Sequence, residues 1–284
     1  MLRDEYLRRL IDEAYVDLYL SGNDGHRVYW PWRMQPPTES NPAYRNACES
    51  YIIDSEPQSP EVTNIDVLNE AVRVDADMVL LADYFPFDLY DSILDPDDPD
   101  DAESIEAYEQ LQRNYDDAYS ASIHSVRDGL RLASEHQFDG EIIVPLQAPH
   151  ADAVRELPPH DRYAIGGLKD SAHADHRRVE AARAVRDVAP NAWIHGLGWG
   201  ATDGVVAAVH DEPGLLDSVD YSTPMQSTID GVAKGSERMS VSAMRSATQL
   251  VTDLRMFSPH IDDSEIPDMP TSKQATADQW VTTD

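Results

Sequence analysis

Residues 193–222 read Trp-Ile-His-Gly-Leu-Gly-Trp-Gly-Ala-Thr-Asp-Gly-Val-Val-Ala-Ala-Val-His-Asp-Glu-Pro-Gly-Leu-Leu-Asp-Ser-Val-Asp-Tyr-Ser, and this stretch decides the fold. It opens on a short apolar run (193–198), breaks at glycines, and offers Thr202 or Asp203 as a helix N-cap. After a helical length it returns to a second apolar run, 218–222. Two strands joined through a helix lie parallel, because a crossover of that length brings the chain back in the same direction. Working outward, the same alternation recurs. Apolar runs at 51–54, 77–85, 141–147 and 163–167 read as further strands. A helix over 175–189 puts Val179, Ala182, Val185 and Ala189 on one face, and 102–135 reads as one long helix or two stacked ones. Another helix is expected from about residue 236, with Met239, Ala243, Ala247, Val251 and Leu254 at helical spacing.

That makes six strands. A closed parallel barrel needs eight, so the first 50 residues must supply two, and 14–20 and 27–32 are the candidates. The expected fold is α/β, a single (β/α)8 TIM barrel over residues 1–257, a length close to the roughly 250 residues such a barrel needs. The Pro-, Asp- and Thr-rich stretch 258–284 is expected to be a loose acidic tail.

With 53 Asp and Glu against 22 Lys and Arg, the net charge is −31, and only Lys169, Lys234 and Lys273 are lysines. The apolar residues are periodic, so disorder is not the reading. A carboxylate-coated surface whose self-repulsion is screened at molar salt fits better, as in a halophilic host or its virus. Such a surface repels phosphate at low salt, so nucleic acid would have to be held by local arginines and an extruded base. Cys48 is the single cysteine, which excludes an internal disulfide and any zinc site built on several thiolates. The first 15 residues are charged and amphipathic, unlike a signal peptide, and no run of 18 apolar residues occurs; the chain is expected in the cytoplasm, away from membranes.

In parallel barrels the working side chains stand at the C-terminal ends of strands. Those ends carry Asp54, Asp83, Gln147, Gly166-Gly167, His195 and Asp220. Several carboxylates converging on one mouth repel one another and shift each other's pKa, a cost that caps alone do not require. Other features have plainer readings beside the functional one. Arg177, Arg178, Arg183 and Arg186 crowd one helix and either meet phosphates or pair with acidic neighbours. Tyr29-Trp-Pro-Trp32 is either a stacking platform for a single strand or core. His173 and His176 imitate a metal pair but sit in a loop.

Over residues 50–225 the ordered motifs resemble the queuine/archaeosine tRNA-guanine transglycosylase family. Tyr51-Ile-Ile-Asp54-Ser55 is similar to its strand ending in Asp-Ser, and Met78-Val-Leu-Leu-Ala-Asp83-Tyr-Phe-Pro86 to its strand ending in an Asp before proline. Val144-Pro-Leu-Gln147 is similar to the strand with its substrate-contacting Gln, and Tyr163-Ala-Ile-Gly-Gly-Leu168 to its Phe-Ala-Ile-Gly-Gly-Leu. Trp193-Ile-His-Gly-Leu-Gly198 and Ser218-Val-Asp220 follow in the family's order. Three departures stand beside these: Glu56-Pro57-Gln58 replaces a Gly-Gly-Phe-Gln run, His195 replaces a methionine, and the zinc-binding subdomain is missing. The short, zinc-less chain is therefore most similar to the viral and bacterial DNA 7-deazaguanine transglycosylases.

The resemblance implies a base-exchanging glycosyltransferase that replaces guanine in DNA by a preQ0-like base. Asp220 would be the nucleophile at C1′ and Asp54 the general acid/base, the carboxylate pair of glycosyl chemistry. Asp83, Gln147, Gly166, Gly167 and His195 would hold the base, with no metal or cofactor. The implied partners are DNA and a free 7-deazaguanine base. Transfer to tRNA is the alternative; a non-catalytic base-binding barrel and a sugar-cleaving hydrolase are two others. Oligomeric state is left open.

Overall fold

The computed structural model describes residues 2–21, 30–55, 62–82, 102–168, 174–221 and 249–258. Its elements are α1 (Leu2–Glu13), β1 (Asp17–Ser21), β2 (Trp32–Gln35), α2 (Pro42–Arg45), β3 (Ser50–Ile53), α3 (Asn64–Val74), β4 (Met78–Leu80), α4 (Ala102–Glu135), β5 (Glu141–Leu146), α5 (His150–Glu156), β6 (Arg162–Ile165), α6 (Ala174–Val188), β7 (Trp193–Gly196), α7 (Asp203–Asp211) and β8 (Ser218–Tyr221). Residues 249–256 are also helical. Among the described residues the eight strands pair in chain order, all parallel, and β1 closes on β8. The chain is a TIM barrel, as its strand–helix alternation predicts.

The two strands demanded of the first 50 residues exist, each displaced from its expected place. β1 starts at Asp17 because residues 14–16 carry the chain off α1, with the Tyr15 N–H bonded to the Phe257 carbonyl. β2 starts at Trp32 because Pro31 has no N–H to give a ladder. Its carbonyl instead accepts from the N–H groups of Glu49 and Ser50 at the entry to β3. Of the strand expected over 77–85, the described part, residues 77–82, is regular for Met78–Leu80, and residues 83–85 lie outside the described residues.

Alternate residues of a strand face opposite ways, and the two apolar clusters record this. Tyr51, Ile53 and Val79 pack outward against Val67, Leu68, Ala71 and Val74 of α3. Ile52, Met78 and Leu80 face into the barrel with Tyr19, Met34, Ile143 and Ala164, all within the larger cluster. α3 forms where it does because the Thr63 N–H and hydroxyl both bond Asp66, and it stops at Asp75 in left-handed conformation (φ 57°). The side chain of Asn64 accepts from Ala82 N (2.8 Å) and donates to the Ser125 carbonyl (2.9 Å), tying α3, α4 and the exit of β4 together. Gly129 leaves room for it, since a Cβ there would stand 2.8 Å from the Asn64 amide.

A single device aligns two strand pairs at the opposite, N-terminal end. Asp77, just before β4, accepts the Tyr51 N–H of β3 and an Arg45 ion pair, both at 2.8 Å. Asp217, just before β8, accepts the Ile194 N–H of β7 (2.8 Å) and pairs with Arg186 (2.9 Å). Among the described residues no helix is long and apolar enough to cross a membrane.

Candidate active site at the C-terminal mouth

Asp220 is built into the interior face of β8. Ser218, two residues earlier on the same face, meets His195 Nδ1 of β7 at 2.7 Å, and His195 Nε2 meets Asp220 Oδ1 at 3.3 Å. The Gly198 N–H donates to the same carboxylate oxygen, and Ser21 at the end of β1 adds a hydroxyl bond. Burial pushes the Asp220 pKa up, but the hydrogen bond and charge of His195, the Gly198 N–H and the Ser21 hydroxyl outweigh it. They hold the carboxyl below its ordinary value. Asp220 is 9 % exposed, so only a little of it reaches the edge of the barrel interior.

His195 itself is 1 % exposed. Its ring stacks on Trp193 (centroids 5.6 Å apart, planes 14° apart) and takes the edge of Tyr19 at 5.8 Å. Below Trp193 lies the Arg162 guanidinium, 5.3 Å from the ring, ion-paired to Glu141 at 2.5 Å. The Tyr19 hydroxyl bonds Ser50 across the barrel at 2.8 Å. A column from Arg162 through Trp193 to His195 thus supports Asp220 from beneath.

Asp54 follows β3 directly and shares the interior parity of Ile52. Its N–H bonds the Gln35 carbonyl (2.8 Å), and its Oδ1 accepts from the Ser55 N–H (2.7 Å). Asp54 and Asp220 stand at the same end of the barrel on strands separated by β1 and β2. Gln147, just beyond β5, is 2 % exposed, and its amide occupies the space a Cβ on Gly166 would need (2.9 Å). The Gly166 carbonyl accepts from His150 Nε2 at 2.9 Å, and burial drives the His150 pKa down to about 4. Gly167 has φ 75°, a conformation that favours glycine. Asp83 lies outside the described residues.

Several plainer readings hold. Trp30 and Trp32 are core: Trp30 Nε1 bonds the Leu18 carbonyl at 2.7 Å and the two rings meet edge to face. Tyr29 and His173 lie outside the described residues, and His176 meets Glu180 at 3.1 Å on the surface of α6. Three arginines of α6 are engaged within the chain, Arg178 with Asp175, Arg183 with Glu212 and Arg186 with Asp217. Among the described residues no group of three or more His, Cys, Asp or Glu is placed to hold a metal. Sequence reasoning missed Ser21, Ser218, Trp193 and Gly198 as supports of the acid. The i, i+2 spacing of Ser218 and Asp220 carried the signal for one of them, because it puts both on one strand face.

No protein-family model and no curated protein matches the chain. Among solved structures it is similar to the YdjI aldolase of Escherichia coli K12, with TM-score 0.51 and 10% identity over 90% of this chain and 96% of that one. It also aligns with a putative fructose-1,6-biphosphate aldolase of Coccidioides immitis, with TM-score 0.48 and 8% identity over 90% and 95%. At such identities the shared feature is the barrel itself.

These findings correct the base-exchange expectation. The solved structure that carries the same barrel is named an aldolase, not a transglycosylase. Among the described residues the His195 ring is enclosed by Trp193, Tyr19 and Asp220, and the Gln147 side chain is buried. The DNA, tRNA and 7-deazaguanine partners belonged to that activity and are not carried forward with it.

Proposed function

We propose that this barrel is an enzyme working at its C-terminal mouth, with Asp220 as the ionised carboxylate that meets positive charge, or a proton, on a small uncharged or cationic substrate. The observation that carries the proposal is the support given to Asp220: a fixed N–H from Gly198, a hydroxyl from Ser21 and a buried imidazole, converging on one partly accessible acid. Donors preorganised around an anion in a water-poor site are the usual means of keeping it charged and aimed. A carboxyl held below its ordinary pKa is a weak general base. Its suitable roles are electrostatic stabilisation of a cationic transition state and nucleophilic attack. Asp54, on the same rim, is the second carboxylate and the candidate proton carrier.

Aldol chemistry, the activity named for the solved structure of similar fold, requires an activated substrate carbonyl, either condensed with a lysine amine to an iminium ion or polarised by a bound metal. The three lysines lie outside the described residues, so the described mouth lends that reading no specific support. The ordered motifs between residues 50 and 225 support descent from the transglycosylase superfamily. Descent is proposed from them, not base exchange, since one fold hosts many reactions. The test is a substrate screen at molar salt, read by mass spectrometry, with hydroxylated, amine-bearing and carbonyl compounds. Any turnover found should be lost in Asp220→Asn and sharply reduced in Asp54→Asn. Full turnover in Asp220→Asn would remove the proposal.

A further inference from the structure

Asp175, in the first turn of α6, reaches across to the amino end of α7. One carboxylate oxygen accepts from the Thr202 hydroxyl (2.8 Å) and from Arg178 Nη1 (3.1 Å); the other accepts from the Gly204 N–H (3.0 Å). Thr202 is the α7 N-cap, yet its hydroxyl caps nothing in its own helix and is spent on Asp175. Arg178 is 4 % exposed and is held from behind by a bond from its Nε to the Leu168 carbonyl (3.2 Å). Gly204 is required for the approach, since a Cβ there would fall 2.5 Å from the Asp175 Cβ.

A buried guanidinium, a hydroxyl and a helix-terminal N–H aimed at one point form a donor set suited to phosphate. Parallel barrels often hold phosphate with the loops after the seventh and eighth strands. Here the loop after β7 runs from Gly198, whose N–H serves Asp220, to Gly204, whose N–H serves Asp175. Both ends of this loop are thus occupied by carboxylates of the chain itself.

We infer that Asp175 fills the anion cradle at the amino end of α7, and that the substrate therefore presents no phosphate or carboxylate to the segment 198–204. Occupancy by Asp175 stands on geometry alone, while the statement about substrate rests on the function proposed above and narrows it. An anionic group arriving there would have to displace a carboxylate already held by three donors and would face Asp220 at the other end of the loop.

The experiment titrates 15N-labelled full-length protein with inorganic phosphate at constant molar ionic strength, following the Thr202 and Gly204 amides. Wild type should show no saturable shift. Asp175→Ala vacates the cradle but leaves Arg178, Thr202 and Gly204, and should show a saturable shift of these amides with phosphate. Saturable binding at these amides in wild type, or a folded Asp175→Ala that gains none, overturns the inference. If Asp175→Ala fails to fold, the wild-type titration decides alone. Retained turnover in Asp220→Asn would remove the proposed function without moving either phosphate result.

Discussion

Replacing His195 by Phe keeps a flat ring between Trp193 and Tyr19 but deletes both nitrogens. Two losses follow, and they differ in their response to pH. Ser218 is fully buried and loses the partner it holds at 2.7 Å. Leaving a buried hydroxyl unsatisfied costs about 1–3 kcal/mol at any pH. Asp220 loses a contact of 3.3 Å, long for its kind. It is therefore taken at the low end of the range for bonds to charged groups, about 1.5 kcal/mol. The sum at pH 7 is roughly 2.5–4.5 kcal/mol. Because the Asp220 pKa is depressed in the fold, the stability this provides is present above the unfolded-state pKa and is lost as pH falls through the folded-state value. The gap between wild type and His195→Phe should therefore narrow in acid to the Ser218 part. Adding Ser218→Ala to the variant should remove most of what remains. The assay is urea unfolding at fixed high salt, at pH 7 and at successively lower pH. A variant as stable as wild type at pH 7, or a gap that stays constant in acid, would refute the reasoning.

Asp17 is pushed up to about 6, first by burial and then by Asp217. The stability linked to its proton is therefore full below the unfolded-state pKa and is lost as pH rises through about 6. Asp17→Asn should stabilise the protein above that pH by on the order of 2 kcal/mol, with little effect near pH 4; thermal melts at the two pH values check it, and equal shifts at both would contradict it. Gly196→Ala places a Cβ 2.5 Å from the Trp199 ring, and overpacking of that kind costs about 1–3 kcal/mol; an unchanged melting temperature would count against the packing described. Cys48 is buried, its thiol bonds the Tyr44 carbonyl at 3.2 Å, and burial raises its pKa to about 11. It should be silent to a disulfide-exchange reagent in the native protein and react only on unfolding, so rapid labelling under native conditions would be the adverse result.

Strand order was legible because each βα unit carries its own punctuation. The Gly-rich exit of β7, the Thr202 cap and the return at Ser218 are all local signals. The first two strands were harder to place, since their starts are set by tertiary events: the Tyr15–Phe257 bond and the inability of Pro31 to donate. The acids at strand ends were legible for the same reason as the strands. Their supports were not, because Ser21 and Gly198 act through atoms whose aim depends on closing β8 onto β1. The trans cap of Asp175 on α7 spans 29 residues and left no periodic trace. At His195 the strand-end position gives no sign that Trp193, two residues earlier on the same face, packs over its ring.

The account turns on an ionised Asp220, and that is directly measurable. With 13C-labelled aspartate and Asp220→Asn used for assignment, the Asp220 carboxyl should titrate below the ordinary aspartate value of 3.8. A carboxyl that takes up its proton above that value would contradict the account.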